Sequence, residues 1–159
     1  MMQENTAKVF DPESFAQEAL DNFHVVLGDY DFSHELELSR VGRLQFLRRR
    51  QMLTEWRGLF MALWRVALAK SFPDDADAMF DAFLLSYTRR NPDKVSARTV
   101  ERAREYWAML APQGDADFSA VARHISSFFV ADDKDLRSIV LRIGLHIRQL
   151  YTYIFECLI

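Results

Sequence analysis

The sequence predicts an all-α fold: a compact helical bundle or orthogonal array of about six helices, with a long C-terminal amphipathic helix. Three observations predict it. Apolar residues recur at steps of three and four along most of the chain, and no stretch shows a convincing strand alternation. Five Gly and four Pro are few, so tight turns are few. The periodic segments are bounded by helix start and stop chemistry, with connectors of mostly about two to eight residues, which favours antiparallel neighbours.

Residues 1–10 read as a frayed tail ahead of one helical domain at 11–159. Asp11-Pro12-Glu13 is a strong helix start: a side-chain acceptor, Pro in the first turn and an acid at the positive end of the dipole. Phe15, Ala19, Leu20, Phe23 and Leu27 then share a face, and Gly28 can end the helix. Residues 29–33 form a connector in which Ser33 can cap another helix, although Gly42 weakens the helical signal between 34 and 44. From Leu44 to Ser71 the helical signal is strong. Phe46, Leu53, Trp56, Phe60, Leu63 and Ala67 form a stripe, widened by Met52, Leu59, Trp64 and Val66 until most of the circumference is apolar. Such a helix is expected at the centre, surrounded by others.

Phe72-Pro73 breaks it. Asp74, Asp75 and Asp77 open the next helix, Arg89 and Arg90 close it, and Ala76, Phe80, Phe83 and Tyr87 are its buried face. Asn91-Pro92-Asp93 is a turn. Ser96 is expected to cap a helix carrying Val100, Ala103, Trp107 and Leu110, ended by Ala111-Pro112-Gln113-Gly114. Asp117 opens a further one with Phe118, Val121, Ile125 and Phe128 inward, and Asp132 with Asp135 resembles a capping box for the last.

In that last helix Leu136, Val140, Ile143, Ile147, Leu150, Ile154 and Cys157 alternate as heptad positions a and d. Burying six large apolar side chains contributes about 9–18 kcal/mol before entropy is subtracted, so the helix must dock. The seam either packs into its own bundle or pairs with a second copy. For a homodimer, the candidate interface is Leu136, Val140, Ile143, Ile147, Leu150 and Ile154. Arg137, Ser138, Arg142, His146, Arg148, Gln149 and Glu156 are expected to face water.

Charge is segregated. Residues 1–37 hold nine acids against Lys8, a net of −8; residues 38–70 hold seven Arg and Lys70 against Glu55, a net of +7. Neutralisation of the first helix by the central one is one reading. The other is an anion-binding surface, because sixteen Arg stand against four Lys and Arg is the better fork for carboxylates and phosphates. Arg43, Arg48, Arg49, Arg50 and Arg57 are the candidate contacts. The calculated pI near 5.8 argues against a dedicated nucleic-acid binder and towards an acidic protein partner.

No local pattern points to a reaction. Cys157 alone cannot form an intrachain disulfide or a Cys-based metal site. Asp21-x-x-His24 and Asp31-x-x-His34 lack the Glu-x-x-His of a di-iron bundle. Asp29 to Glu37 lacks the Gly and final Glu of a calcium loop. His124 and His146 are expected in solvent rather than on a haem. There is no phosphate loop, nucleophile elbow or dinucleotide fingerprint, and no catalytic, metal or cofactor site is assigned. No secretory signal or membrane span is visible. The expectation is a cytoplasmic regulatory or adaptor protein that works by protein–protein binding. Two alternatives are a small-ligand or cofactor pocket lined by Trp56, Phe60, Trp64 and Phe83, and a nucleic-acid-associated protein using the Arg tract.

Overall fold

The structure, a computed structural model, describes residues 12–130 and 132–158. The expected tail at 1–10 and the Asp11 cap lie outside the described residues. Seven helices run in order: α1 (Pro12–Asp29), α2 (Ser33–Leu38), α3 (Phe46–Ser71), α4 (Ala76–Arg90), α5 (Lys94–Leu110), α6 (Ser119–Ser126) and α7 (Asp133–Cys157). No strand occurs among the described residues, and no described helix is long and apolar enough to cross a membrane.

α3 is the central element. Every residue from Gly58 to Leu68 is buried, as the all-round apolar pattern demands. α5 lies along one side of it, α7 along another, and α4, α1 and α2 close the remainder. Phe23 of α1 stacks on Trp64 of α3 at 4.3 Å and meets Phe83 of α4 edge-on at 4.8 Å, while Trp64 and Phe83 also touch at 5.1 Å. Each such pair adds about 0.5–1.5 kcal/mol to the burial term. Trp56, Phe60, Trp64 and Phe83 are all fully buried. The residues expected to line a ligand pocket therefore fill the core.

The additional helix is α2. It closes at Arg40, which takes a left-handed φ of 58° while Val41 N–H returns to Leu36 C=O at 3.2 Å. That is a helix stop built without glycine.

Two caps differ from expectation in a common way. Ser33 is the first residue of α2, not its cap; the Asp31 carboxylate accepts the Ser33 N–H at 3.0 Å. Ser96 lies in the first turn of α5, and Asp93 is the cap, accepting Ser96 N–H at 2.8 Å and Ser96 Oγ–H at 2.9 Å. Asp132 caps α7 as expected, through Lys134 N–H at 3.0 Å, but without a return bond from Asp135 among the described residues. A charged acceptor outcompetes a hydroxyl at the positive end of a helix.

Phe46, read as part of the core stripe, stands 71% exposed at the start of α3. The expected docking of the acidic segment on α3 is not made by ion pairs: among the described residues none joins residues 14–37 to residues 38–70. Asp21 reaches Arg90 at 3.7 Å and Glu35 reaches His146 at 3.1 Å instead.

Candidate functional site: the groove between α3 and α5

Leu47, Arg50, Gln51, Thr54, Glu55 and Gly58 recur at steps of three and four, so they form one edge of α3. Lys94, Val95, Arg98 and Arg102 form the facing edge of α5. Gly58 lets the two axes close together at the inner end. Towards the N-termini they part and leave a groove of two adjoining hollows, about 290 and 220 Å³, which share Gln51, Thr54 and Arg98.

The outer hollow is basic and apolar. Leu47 and Val95 supply the apolar wall; Arg50, Lys94 and Arg98 supply cations, and no carboxylate lines it. Arg98 holds Glu101 on its own helix at 2.9 Å. Arg50 and Lys94 have no ion-pair partner among the described residues. Leu47, in the wall of this hollow, stands 83% exposed, and Leu44 and Phe46, just before it in the chain, stand 85% and 71% exposed. A run of large apolar side chains held in water is a mark of an interaction site.

The inner hollow has a polar floor. Arg102 Nε donates to Glu55 Oε2 at 2.8 Å, Tyr106 Oη donates to the same oxygen, and Glu105 pairs with Arg102 from the next turn. Arg102 Nη2 meets His124 Nε2 at 3.0 Å. A guanidinium only donates, so His124 Nε2 accepts and the neutral ring carries its proton on Nδ1. Burial, then the Arg102 charge, lowers the His124 pKa against the smaller pull of Glu55. Burial opposes the charge on Arg102, but bonds from Tyr106 and Glu55 outweigh it and raise that pKa. Burial and the Glu55 carboxylate raise Tyr106. This network fixes α3, α5 and α6 to one another. It is the frame of the groove.

A second buried carboxylate lies elsewhere. Glu35 is fully buried on α2; its Oε1 accepts from Tyr30 Oη and His146 Nε2, and its Oε2 has no partner. His146 and His124, both expected in solvent, are half-buried in these two networks. His34 lies 4.8 Å from His146, ring to ring, but no three His, Cys, Asp or Glu side chains among the described residues converge to hold a metal.

The five predicted arginines do not share a face. Arg50 lines the groove. Arg43 is exposed in the loop before α3. Arg48 is half-buried and donates to Phe128 C=O at 3.4 Å. Arg49 is exposed and adds to the lowering of the Asp31 pKa, behind the two bonds from Ser33. Arg57 sits 5.9 Å from the Phe32 ring. Lys94, Val95 and Arg98, absent from the predicted set, complete the surface. Of the proposed dimer seam, Ile143, Ile147, Leu150 and Ile154 are at most 2% exposed inside the chain's own core, and Leu136 and Val140 are half-buried. In this fold the seam is occupied by α3 and α6. No protein-family model, curated protein or solved structure matches the chain, and the groove is the feature on which a functional reading rests.

Proposed function

We propose that this is a cytoplasmic regulatory or adaptor protein that works by binding, and that its α3–α5 groove holds an acidic, partly apolar segment of a protein partner. One observation carries the reading. Leu47 projects into water from the wall of a hollow whose lining has three cations and no acid, directly after the exposed Leu44 and Phe46 in the chain. Apolar contact supplies affinity, and the Arg and Lys side chains select carboxylates and set the register. An amphipathic helix with acidic flanks fits a groove between two helices.

The test is fluorescence anisotropy with a labelled helical peptide of alternating Leu and Glu faces, and a Leu/Lys peptide as control. The Leu/Glu peptide is expected to bind saturably, and to weaken about tenfold or more between roughly 50 and 300 mM salt. Arg50→Glu with Arg98→Glu, and separately Leu47→Asp, should abolish binding while the far-ultraviolet circular dichroism is unchanged. Equal binding of both peptides, or undiminished binding by these variants, rejects the groove. Tighter binding of an oligonucleotide than of the peptide, lost in the same variants, moves the assignment to nucleic acid.

A further inference from the structure

The charges around the outer hollow of the α3–α5 groove do not balance. Arg50 comes from α3, and Lys94 and Arg98 come from one face of α5, a like-charge pair one turn apart that weakens a helix. Each acid near them is already engaged. Glu101 holds Arg98, but the two side chains are 63% and 57% exposed, and an ion pair in that setting exchanges readily. Asp93, at the end of α5, accepts from the N–H and the Oγ–H of Ser96. It also offsets the positive end of the helix, so the pull of the hollow comes from its side chains and not from the dipole. Glu55, in the adjoining hollow, is held by Arg102 and Tyr106. Three cations, less the one that Glu101 offsets, leave two uncompensated charges on one space of about 290 Å³. Gln51 adds a neutral amide to the lining. Thr54 adds no donor, because its Oγ1–H goes to the Arg50 C=O at 3.1 Å.

We infer that this hollow takes a phosphoryl group, carried by the partner segment on a phosphorylated serine or threonine. The inference rests on the groove being the docking site of an acidic, partly apolar segment, and it names the acid. A carboxylate brings one charge and two oxygens. A phosphate monoester at neutral pH brings a charge of about −1.5 to −2 and three acceptor oxygens to a single point. Three donor side chains from two helices, with a surplus of two charges, match the second and exceed the first. Arg50 and Arg98 can each give two parallel N–H bonds to phosphate oxygens, and Lys94 acts as a point charge. All three side chains are exposed, so they can turn onto one group while both helices stay in place. Leu47 and Val95 in the same wall suit a peptide that carries the phosphate, because a nucleic-acid backbone offers them no apolar contact. The calculated pI near 5.8 favours the same choice.

Fluorescence anisotropy tests it, with the labelled Leu/Glu peptide as parent and a set of peptides in which phosphoserine replaces one Glu at a time. At about pH 7.5 one member of the set should bind about tenfold or more tighter than the parent. At about pH 5.5, below the second phosphate pKa near 6, most of that gain should vanish. The ratio of the two affinities cancels the titration of His124, which both peptides meet. Lys94→Gln, with circular dichroism unchanged, should cut the gain to about twofold or less. Arg49→Gln removes the same charge from the neighbouring position of α3, about 100° round the helix from Arg50, and should leave the gain intact. Equal affinity of the parent and every phosphopeptide overturns the phosphoryl assignment and leaves the groove reading standing. Binding of none of them overturns both. A gain that survives Lys94→Gln, or that Arg49→Gln removes equally, overturns the assignment. So does an oligonucleotide that binds more tightly than any phosphopeptide and is lost with Lys94→Gln, which would place nucleic acid in the hollow.

Discussion

Gly58 lies so close against Arg102 that a Cβ on the glycine would fall 2.8 Å from the Arg102 Cβ and 3.1 Å from the Ala103 nitrogen. Real Cβ atoms do not approach that closely, and neither neighbour is the free end of a flexible chain. Gly58→Ala should therefore wedge α3 from α5 and lower stability by about 1–3 kcal/mol, despite the better helix propensity of alanine. Urea unfolding checks this. A variant as stable as the wild type would mean that the two helices separate without cost.

The wedge would act on the ion pair beside it. Glu55 and Arg102 are 4% and 7% exposed, so removing one leaves the other charged and buried. Arg102→Met should cost about 3–5 kcal/mol, and Arg102→Met with Glu55→Leu should recover most of that loss. Tyr106→Phe, which removes one donor to a carboxylate that keeps Arg102, should cost about 1–2 kcal/mol. Equal losses in the single and double variants would show that the pair contributes by packing alone.

These pairings mark the boundary of what the sequence discloses. The position of α3 is legible because its apolar residues leave no polar face, and the seam of α7 because its heptad steps are unbroken. Glu55 and Arg102 lie 47 residues apart, and Glu35 and His146 lie 111 apart. No local pattern signals such contacts. α2 was obscured because its stop is Arg40 in a left-handed conformation, where glycine or asparagine is the usual sign. The Arg tract is different. Arg48, Arg49 and Arg50 are consecutive on one helix, so they must point in three directions about 100° apart, and geometry alone divides them.

Arg40 itself yields a stabilising substitution. Its side chain is exposed, and its φ of 58° costs a non-glycine residue about 1–2 kcal/mol. Arg40→Gly should raise stability by about 0.5–1 kcal/mol, after the extra unfolded-state entropy of glycine is subtracted. A loss measured by thermal unfolding would show that the arginine makes a contact worth more than the strain.

Stability should fall in two stages as pH is lowered. His24 and His124 both hold pKa values below 6.5. Burial is the first cause at each, reinforced by Arg90 at His24 and by Arg102 at His124, with Asp21 and Glu55 opposing. The unfolded chain then binds protons first, so stability declines as pH drops below 6.5. Burial acts to raise the Glu35 pKa, but bonds from His146 and Tyr30 outweigh it and hold the group below 4.5. Its contribution is present above 4.5 and is lost as pH falls further. His124→Gln keeps an acceptor for Arg102 without a titrating group. It should shrink the first stage, below about pH 6.5, to the share that His24 contributes, and leave the second unchanged. An identical profile would assign the first stage to other groups.

Glu35 ties α2 to the rest of the fold, and its removal should act locally. Its Oε1 satisfies Tyr30 Oη and His146 Nε2, while its backbone carbonyl accepts from Ser39 Oγ at 2.8 Å and Ser39 Oγ in turn accepts from Trp56 Nε1 at 2.8 Å. Glu35→Ala strands two donors in a buried site and should cost about 1–3 kcal/mol. Because α2 has six residues, it cannot hold its conformation without these ties. Amide exchange at Leu36, Ser39 and Val41, whose N–H groups close the turns of α2, should then rise well above wild type. Exchange across Gly58–Leu68 in α3 should stay slow. If exchange rises equally in both segments, Glu35 stabilises the whole fold and α2 is not a separable unit.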